Sequence, residues 1–333
     1  MNIHIRGPVE FEKILNHSCE TAIETTRARM AVQQLLDTQE SSQHLTKQLR
    51  KYIEMADKML AFLSQHHTQP LVEHPLFEWS VNDAIILTPC WRIETILPRF
   101  ALAVALQHAG HGHVADESFK DAAHAFQEQH KLHLECASKL LLWKWKLSHL
   151  NHDVLQHKWH VSQADICKGM ADLCMLATGI QKQTASKAMF TVSQRALRHF
   201  ARSLATWPTT QAKDLMNVSE AMRYYYSSDI LWSDGQYGQS IYQLETWDAR
   251  HVEFGPFQSL KTELGKIPFL AQERRHTNDG AYFDAVAAPE PMAATDQLIH
   301  TPESTDIPHP SASPAWDAAD EATSTPSECS DSQ

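Results

Sequence analysis

The sequence predicts an all-α protein, and three observations carry that prediction. Apolar residues recur at helical spacing through long stretches of the first 275 positions. Glycine is scarce, ten in 333 residues, while Ala, Leu, Gln and Glu are abundant. The connections between periodic stretches are short, which implies antiparallel helix hairpins stacked side by side.

In chain order, a first helix is expected from about Cys19 to Leu36, closed by Asp37–Ser42. A second runs from about Gln43 to His66, with Leu45, Leu49, Tyr52, Ile53, Met59, Leu60 and Leu63 near helical spacing. Pro70, Pro75 and Pro89 then break the pattern, and Leu76–Trp79 reads as a short extended piece. A helix resumes from Trp91 to Ala109, with Pro98 inside it as a kink or a shifted start. Gly110–Gly112 reads as a tight turn, and residues 115–146 as the longest helix. Further helices are expected at about 150–158, 163–187, 190–206, 210–233, 237–254 and 257–272. Ile166, Met170, Leu173, Ala177, Ile180 and Thr184 form one stripe of the second of these. Asp234-Gly235 and Gly255-Pro256 supply turns between the last pairs. No 34-residue repeat is present.

Charge divides the chain. The net charge is −11, from 29 Lys+Arg against 40 Asp+Glu. No Lys or Arg follows Arg275, whereas residues 276–333 hold eleven acids, so positions 1–275 carry 29 of each sign. Seven of the fifteen prolines also fall in those last 58 residues. The protein therefore reads as a neutral helical body, large enough to bury its own core, with a disordered acidic, proline-rich tail. The absence of a basic excess argues against nucleic acid as a ligand. No apolar run approaches the roughly 18–20 residues that span a bilayer, and the N-terminus lacks a secretory pattern. Six cysteines without C-x-x-C spacing suit reduced thiols in a cytosolic protein.

Signals for chemistry are few. Histidine is frequent, 21 in all, and His108, His111 and His113 make the tightest group. On the expected turn they read as solvated side chains with no closed set of metal ligands. His124, His130 and His133 read as exposed helix surface. No G-x-S-x-G, P-loop or G-x-G-x-x-G occurs, and no Cys–His pairing has a catalytic context. Trp143, Trp145 and Tyr224–Tyr226 fall within helices, where successive side chains point about 100° apart, and read as packing.

The order of several short motifs is more telling than any one of them. Phe77-Glu78-Trp79 is followed by Glu94 ahead of a long apolar run, and then by Lys120-Asp121-Ala122-Ala123-His124-Ala125-Phe126. Leu173-Cys174-Met175-Leu176-Ala177 with Gln181 and Lys187-Ala188 comes next. Ala221–Tyr225, Tyr237-Gly238-Gln239-Ser240-Ile241 with Leu244, and Asn278-Asp279-Gly280-Ala281-Tyr282-Phe283 complete the series. Over residues 45–292 this series resembles the Bro-one domain, the helical module of ALIX-type endosomal sorting adaptors, in a short and diverged form.

The resemblance implies an elongated, boomerang-like stack of antiparallel helices around a tetratricopeptide-like core. It places the domain at 1–292 and the Pro/Ser/acidic tail at 293–333. It implies a cytoplasmic adaptor recruited to endosomes, with neither a catalytic activity nor a cofactor. The implied partner is the C-terminal amphipathic helix of an ESCRT-III subunit, received on an apolar surface patch; membranes are reached through partners. On this chain the matching positions are Ile180, Gln183, Thr184, Leu197, Phe200 and Leu204. Members that bind ESCRT-III place an exposed aromatic residue where this chain has Gln183 or Thr184. One alternative is a scaffold that keeps the fold and binds a different peptide or protein. Another is a helical enzyme or a His-dependent metal protein with a cryptic site. In the tail, Pro310–Pro314 misses the P-[ST]-A-P recruitment motif by one residue, and Ala315–Ala322 could form a short acidic amphipathic helix.

Overall fold

Helix periodicity governs most of the chain, as the computed structural model shows. The structure describes residues 3–6, 9, 11, 20–38, 42–65, 77–82, 84–88, 90–142, 152–247 and 254–288. Trp143, Trp145 and the tail motifs lie outside the described residues. The elements are β1 (Ile3–Arg6), α1 (Glu20–Thr38), α2 (Ser42–Gln65), β2 (Phe77–Val81), β3 (Ala84–Thr88), α3 (Ile93–Ala115) and α4 (Phe119–Leu142). After a 3-10 turn at Asp153–Leu155 come α5 (His157–Gln181), α6 (Ser186–Thr206), α7 (Thr210–Ser233), α8 (Tyr237–Thr246), α9 (Gln258–Leu264) and α10 (Ile267–Thr277). A π-helical turn at Asn278–Tyr282 follows. The described residues group into two compact units, one from residues up to 101 with 138–142, the other from 102–137 with 152–288.

In the first unit, the expected extended piece is the central strand of a three-stranded antiparallel sheet ordered β1-β2-β3. Ile5 pairs with Trp79, and Trp79 with Ile86, so alternate residues line one inner face. That face holds Ile3, Ile5, Phe77, Trp79, Val81 and Ile86, all buried. Next to it lies a buried polar knot. The Glu94 carboxylate accepts hydrogen bonds from the Tyr52 hydroxyl and from Trp79 Nε1 at 2.7 Å, and it stands 3.5 Å from Arg29 Nε. A buried carboxylate survives only when so partnered, since removing one partner leaves charge stranded in a poor solvent. Burial and the Glu94 charge hold the Tyr52 phenol well above its ordinary pKa.

In the second unit, one core joins Phe119, Phe126, Ile166, Met170, Leu173, Phe200, Val218, Met222 and Phe257 among others. α6 packs on both α5 and α7, in the antiparallel hairpins that short connections implied.

The helix ends differ from expectation. Gly110 and Gly112 are helical, and α3 runs on to Ala115. Gly110 is there for packing: a Cβ on it would lie 2.7 Å from Phe126 Cε1. The chain reverses instead at Glu117, in the left-handed region at φ 56°. Ser118 N–H donates to the His113 carbonyl at 2.8 Å and Glu117 N–H to Val114 at 3.1 Å, which closes the end as a Schellman motif. Pro98 sits inside α3 without ending it. The helix expected over 163–187 spans His157–Gln181 and, at 25 residues, is one longer than α4. The one expected over 237–254 ends at Thr246, and that over 257–272 is divided at Gly265-Lys266 into α9 and α10. Gly235 and Gly255 do mark turns, at φ 78° and 51°.

Candidate functional site

The candidate patch lies on the α5–α6 hairpin, and its register follows from paired residues. Asp172 meets Arg195, Asp165 meets Arg202, and Ser162 meets Ser203. Two aspartates seven apart on α5 thus face two arginines seven apart on the antiparallel α6. Arg195 is bidentate on Asp172, with Nε donating to Oδ2 at 2.9 Å and Nη2 to Oδ1 at 2.5 Å. Arg202 Nη2 reaches Asp165 Oδ1 at 2.9 Å and donates to His199 Nδ1 at 2.6 Å. Buried His199 therefore carries its proton on Nε2, which lies 3.7 Å from Asp172 Oδ2. This ladder was not picked out from the sequence, although the matched seven-residue spacing is visible there.

α5 ends in a second Schellman motif. Gln183 lies at φ 51°, Thr184 N–H donates to the Gly179 carbonyl at 2.9 Å, and Gln183 N–H donates to Ile180 at 3.1 Å. Gln183 and Thr184 are therefore on the connection, exposed, beyond the helix. Ile180 and Leu204 are half-buried and rest on the core, and Leu197 is half-buried on α6. Leu197 and Leu204, seven apart, share one flank of α6.

Phe200 departs from expectation. It is 0% exposed, and its ring fills the space that the missing side chain of Gly169 leaves; a Cβ there would be 2.5 Å from Phe200 Cζ. Phe200 is thus a core residue and offers no surface to a partner. α6 contains no Asp or Glu; Lys187 and Arg198 are exposed on it, while Arg195 and Arg202 are turned to Asp172 and Asp165 of α5.

The histidines are also placed differently. His108, His111 and His113 stand on α3 rather than a turn, and half-buried His111 packs on Phe126 with ring centroids 5.8 Å apart. His133 is not on the surface: it is 2% exposed, and its Nδ1 lies 2.9 Å from Nδ1 of buried His160. His160 Nε2–H donates to the Val154 carbonyl at 2.9 Å, so His160 Nδ1 accepts and His133 Nδ1–H donates. His130 Nδ1 binds the Ala164 carbonyl at 2.8 Å. Among the described residues, no three His, Cys, Asp or Glu side chains are placed to hold a metal ion. Cys136, Cys167 and Cys174 are buried thiols outside any disulfide, and burial pushes Cys174 up to about 12. Protonated, enclosed thiols are not nucleophiles.

A last cluster gathers the end of the described chain. Arg274 donates to Ser228 Oγ and Asp229 Oδ1, each at 2.5 Å, and its guanidinium lies over the Trp232 ring. Tyr237 stacks on Tyr282 at 3.7 Å, and Asp284 Oδ2 accepts from Gly238 N–H at 3.0 Å. Asn278–Asp284 is thereby fastened to α8. No helix of the described residues is long and apolar enough to cross a membrane.

No family model matches the chain, and no curated protein matches it. Solved structures do. A complex of the ALIX BRO1 domain with CHMP4C superposes with a TM-score of 0.68 at 13% identity, over 92% of this chain and 96% of that one. ALIX in complex with the SIVmac239 PYKEVTEDL late domain gives 0.69 at 14% identity, over 92% of this chain and 49% of that one. A structure described as the basis for endosomal targeting by the Bro1 domain gives 0.58 at 13%, covering 88% of each chain. The chain has the fold of the Bro1 domain.

Proposed function

We propose that this protein is a non-catalytic adaptor of ESCRT-linked endosomal sorting, and that the α5–α6 hairpin receives the C-terminal amphipathic helix of an ESCRT-III subunit. Its place is in the cytoplasm, with recruitment to endosomes through partners. The domain extends over residues 1–292, with 293–333 as a separate tail. The observation that carries this reading is a fold likeness to ALIX BRO1 in complex with CHMP4C that spans nearly the whole of both chains. An apolar flank on α6 supports it. Leu197 and Leu204, seven apart and half-buried, offer the kind of surface onto which an amphipathic helix lays its apolar face. Gln183 and Thr184 border that patch, and Phe200 supports it from beneath.

The test is a pull-down of the full chain on immobilised C-terminal helices of ESCRT-III subunits, repeated with Leu197→Asp and Leu204→Asp. Each folded variant is expected to weaken binding at least tenfold, the scale of losing an apolar anchor worth about 1.4 kcal/mol or more. Tight binding that neither variant alters removes the site assignment. Absence of binding by the parent protein favours a scaffold with another ligand.

A further inference from the structure

We infer that β3 is a docking edge for an extended peptide, which enters the sheet of the first unit as a fourth antiparallel or parallel strand. β3 is an outer strand of the sheet. Alternate residues of such a strand turn N–H and C=O away from its neighbour, and among the described residues no backbone hydrogen bond runs from Ala84–Thr88 to any element but β2. From Ile85 onward its side chains alternate between faces. Ile86 and Thr88 are buried on the inner face, while Ile85 and Leu87 are 56% and 47% exposed on the outer one.

The opposite edge contrasts with it. On that face β1 carries His4 and Arg6, and β2 carries half-buried Glu78 and buried Ser80. β3 alone puts apolar groups there. Native edge strands are ordinarily guarded by lysine, proline or a bulge. The stretch Ala84-Ile85-Ile86-Leu87-Thr88 has no charge and no proline, and it pairs with β2 in unbroken register from Val81↔Ala84 to Phe77↔Thr88.

The occupant follows from size and charge. A five-residue strand is about 17 Å long. Two copies paired through it would bury a few hundred Å² at most, against the roughly 1,200 Å² of a stable protein–protein interface. A peptide needs far less, because main-chain hydrogen bonds fix it and alternate side chains select it. With an uncharged edge, selection rests on apolar or β-branched residues at every second position, set beside Ile85 and Leu87 as cross-strand pairs. β3 belongs to the first unit, and the inference does not depend on the function proposed for the α5–α6 hairpin.

The test is fluorescence polarisation of the full chain with a labelled, lysine-capped peptide of alternating valine and threonine, and with the same peptide carrying a central proline. Binding of the alternating peptide is expected, with at least tenfold loss on the proline form, which cannot donate to the ladder, and little change between low and high salt. Ile85→Lys and Leu87→Thr, both at exposed positions, are expected to weaken it at least tenfold with unchanged circular dichroism. Equal binding of both peptides, no binding at all, or binding that folded variants leave intact overturns the inference. Sedimentation that finds a dimer abolished by Ile85→Lys also overturns it, in favour of a second copy.

Discussion

Acid should loosen the junction of α4 with the start of α5, because two buried imidazoles share one hydrogen bond there. His133 Nδ1–H donates to His160 Nδ1 at 2.9 Å, which requires His160 to be neutral. Burial holds His160 at about 4, only partly offset by its bond to the Val154 carbonyl, and His157 lowers it further. His133 is held well below its ordinary value by burial, then by His160 and His130. His130, half-enclosed on the same helix, is lowered too. The sign follows from linkage. The unfolded chain binds these protons near pH 6.5 and the folded one resists them, so the stabilisation is complete above that value and is lost as pH falls toward 4.

For His160 alone, a drop from about 6.5 to about 4 costs ~2 kcal/mol by pH 5. That corresponds to a roughly thirtyfold loss of amide-exchange protection. Hydrogen exchange over residues 157–166, corrected for intrinsic rates, measures it at pH 7.5 and 5. His160→Gln keeps a donor toward Val154 but no proton to gain, so the pH-dependent loss should shrink by most of that factor. Protection equal at both pH values, or a variant that loses as much as the parent, would refute the reasoning.

Three further outcomes are expected. Gly169→Ala places a Cβ 2.5 Å from Phe200 Cζ and should cost about 1–3 kcal/mol in urea denaturation, with Phe200→Leu restoring part of it. Gln183→Gly relieves a left-handed backbone at φ 51° and should stabilise by about 0.5–1 kcal/mol; a lowered Tm would contradict the αL assignment. Trp79→Phe removes the 2.7 Å donor to buried Glu94 and should cost about 1–3 kcal/mol, whereas an unchanged midpoint would mean that the carboxylate finds another partner.

How much was legible in the sequence depends on which physical signal each element carries. α5 and α6 were readable because their buried faces keep strict helical spacing. The ends of α3 and α5 were less legible, because Gly110–Gly112 reads as a turn and nothing marks Gln183 as one. Gly110 and Gly179 in fact admit Phe126 and Met189 against the helix, while Glu117 and Gln183 make the left-handed reversals. β1 and β3 escaped notice because four or five residues are too few to establish a period of two. His133 could have been found: Phe119, Phe126, His133 and Leu140 are spaced by sevens along α4, and all four are buried. Phe200 is the same case, on a stripe with Met189, Ser193, Ala196 and Ser203.

The same stripes explain how a Bro1 fold persists at 13–14% identity. Burial pattern, hairpin register and the Glu94 knot constrain the type of residue at inward positions, and packing tolerates exchanges that conserve volume. Leu197 and Thr184 lie outside the buried positions and under no such packing constraint. An exposed side chain there can therefore be exchanged with little cost in stability, whereas buried Phe200 cannot change freely. Ile85 and Leu87 invert that reasoning. They are exposed apolar residues on an outer strand, where a charged residue would cost the fold little, and pairing with an incoming strand is the role proposed for them.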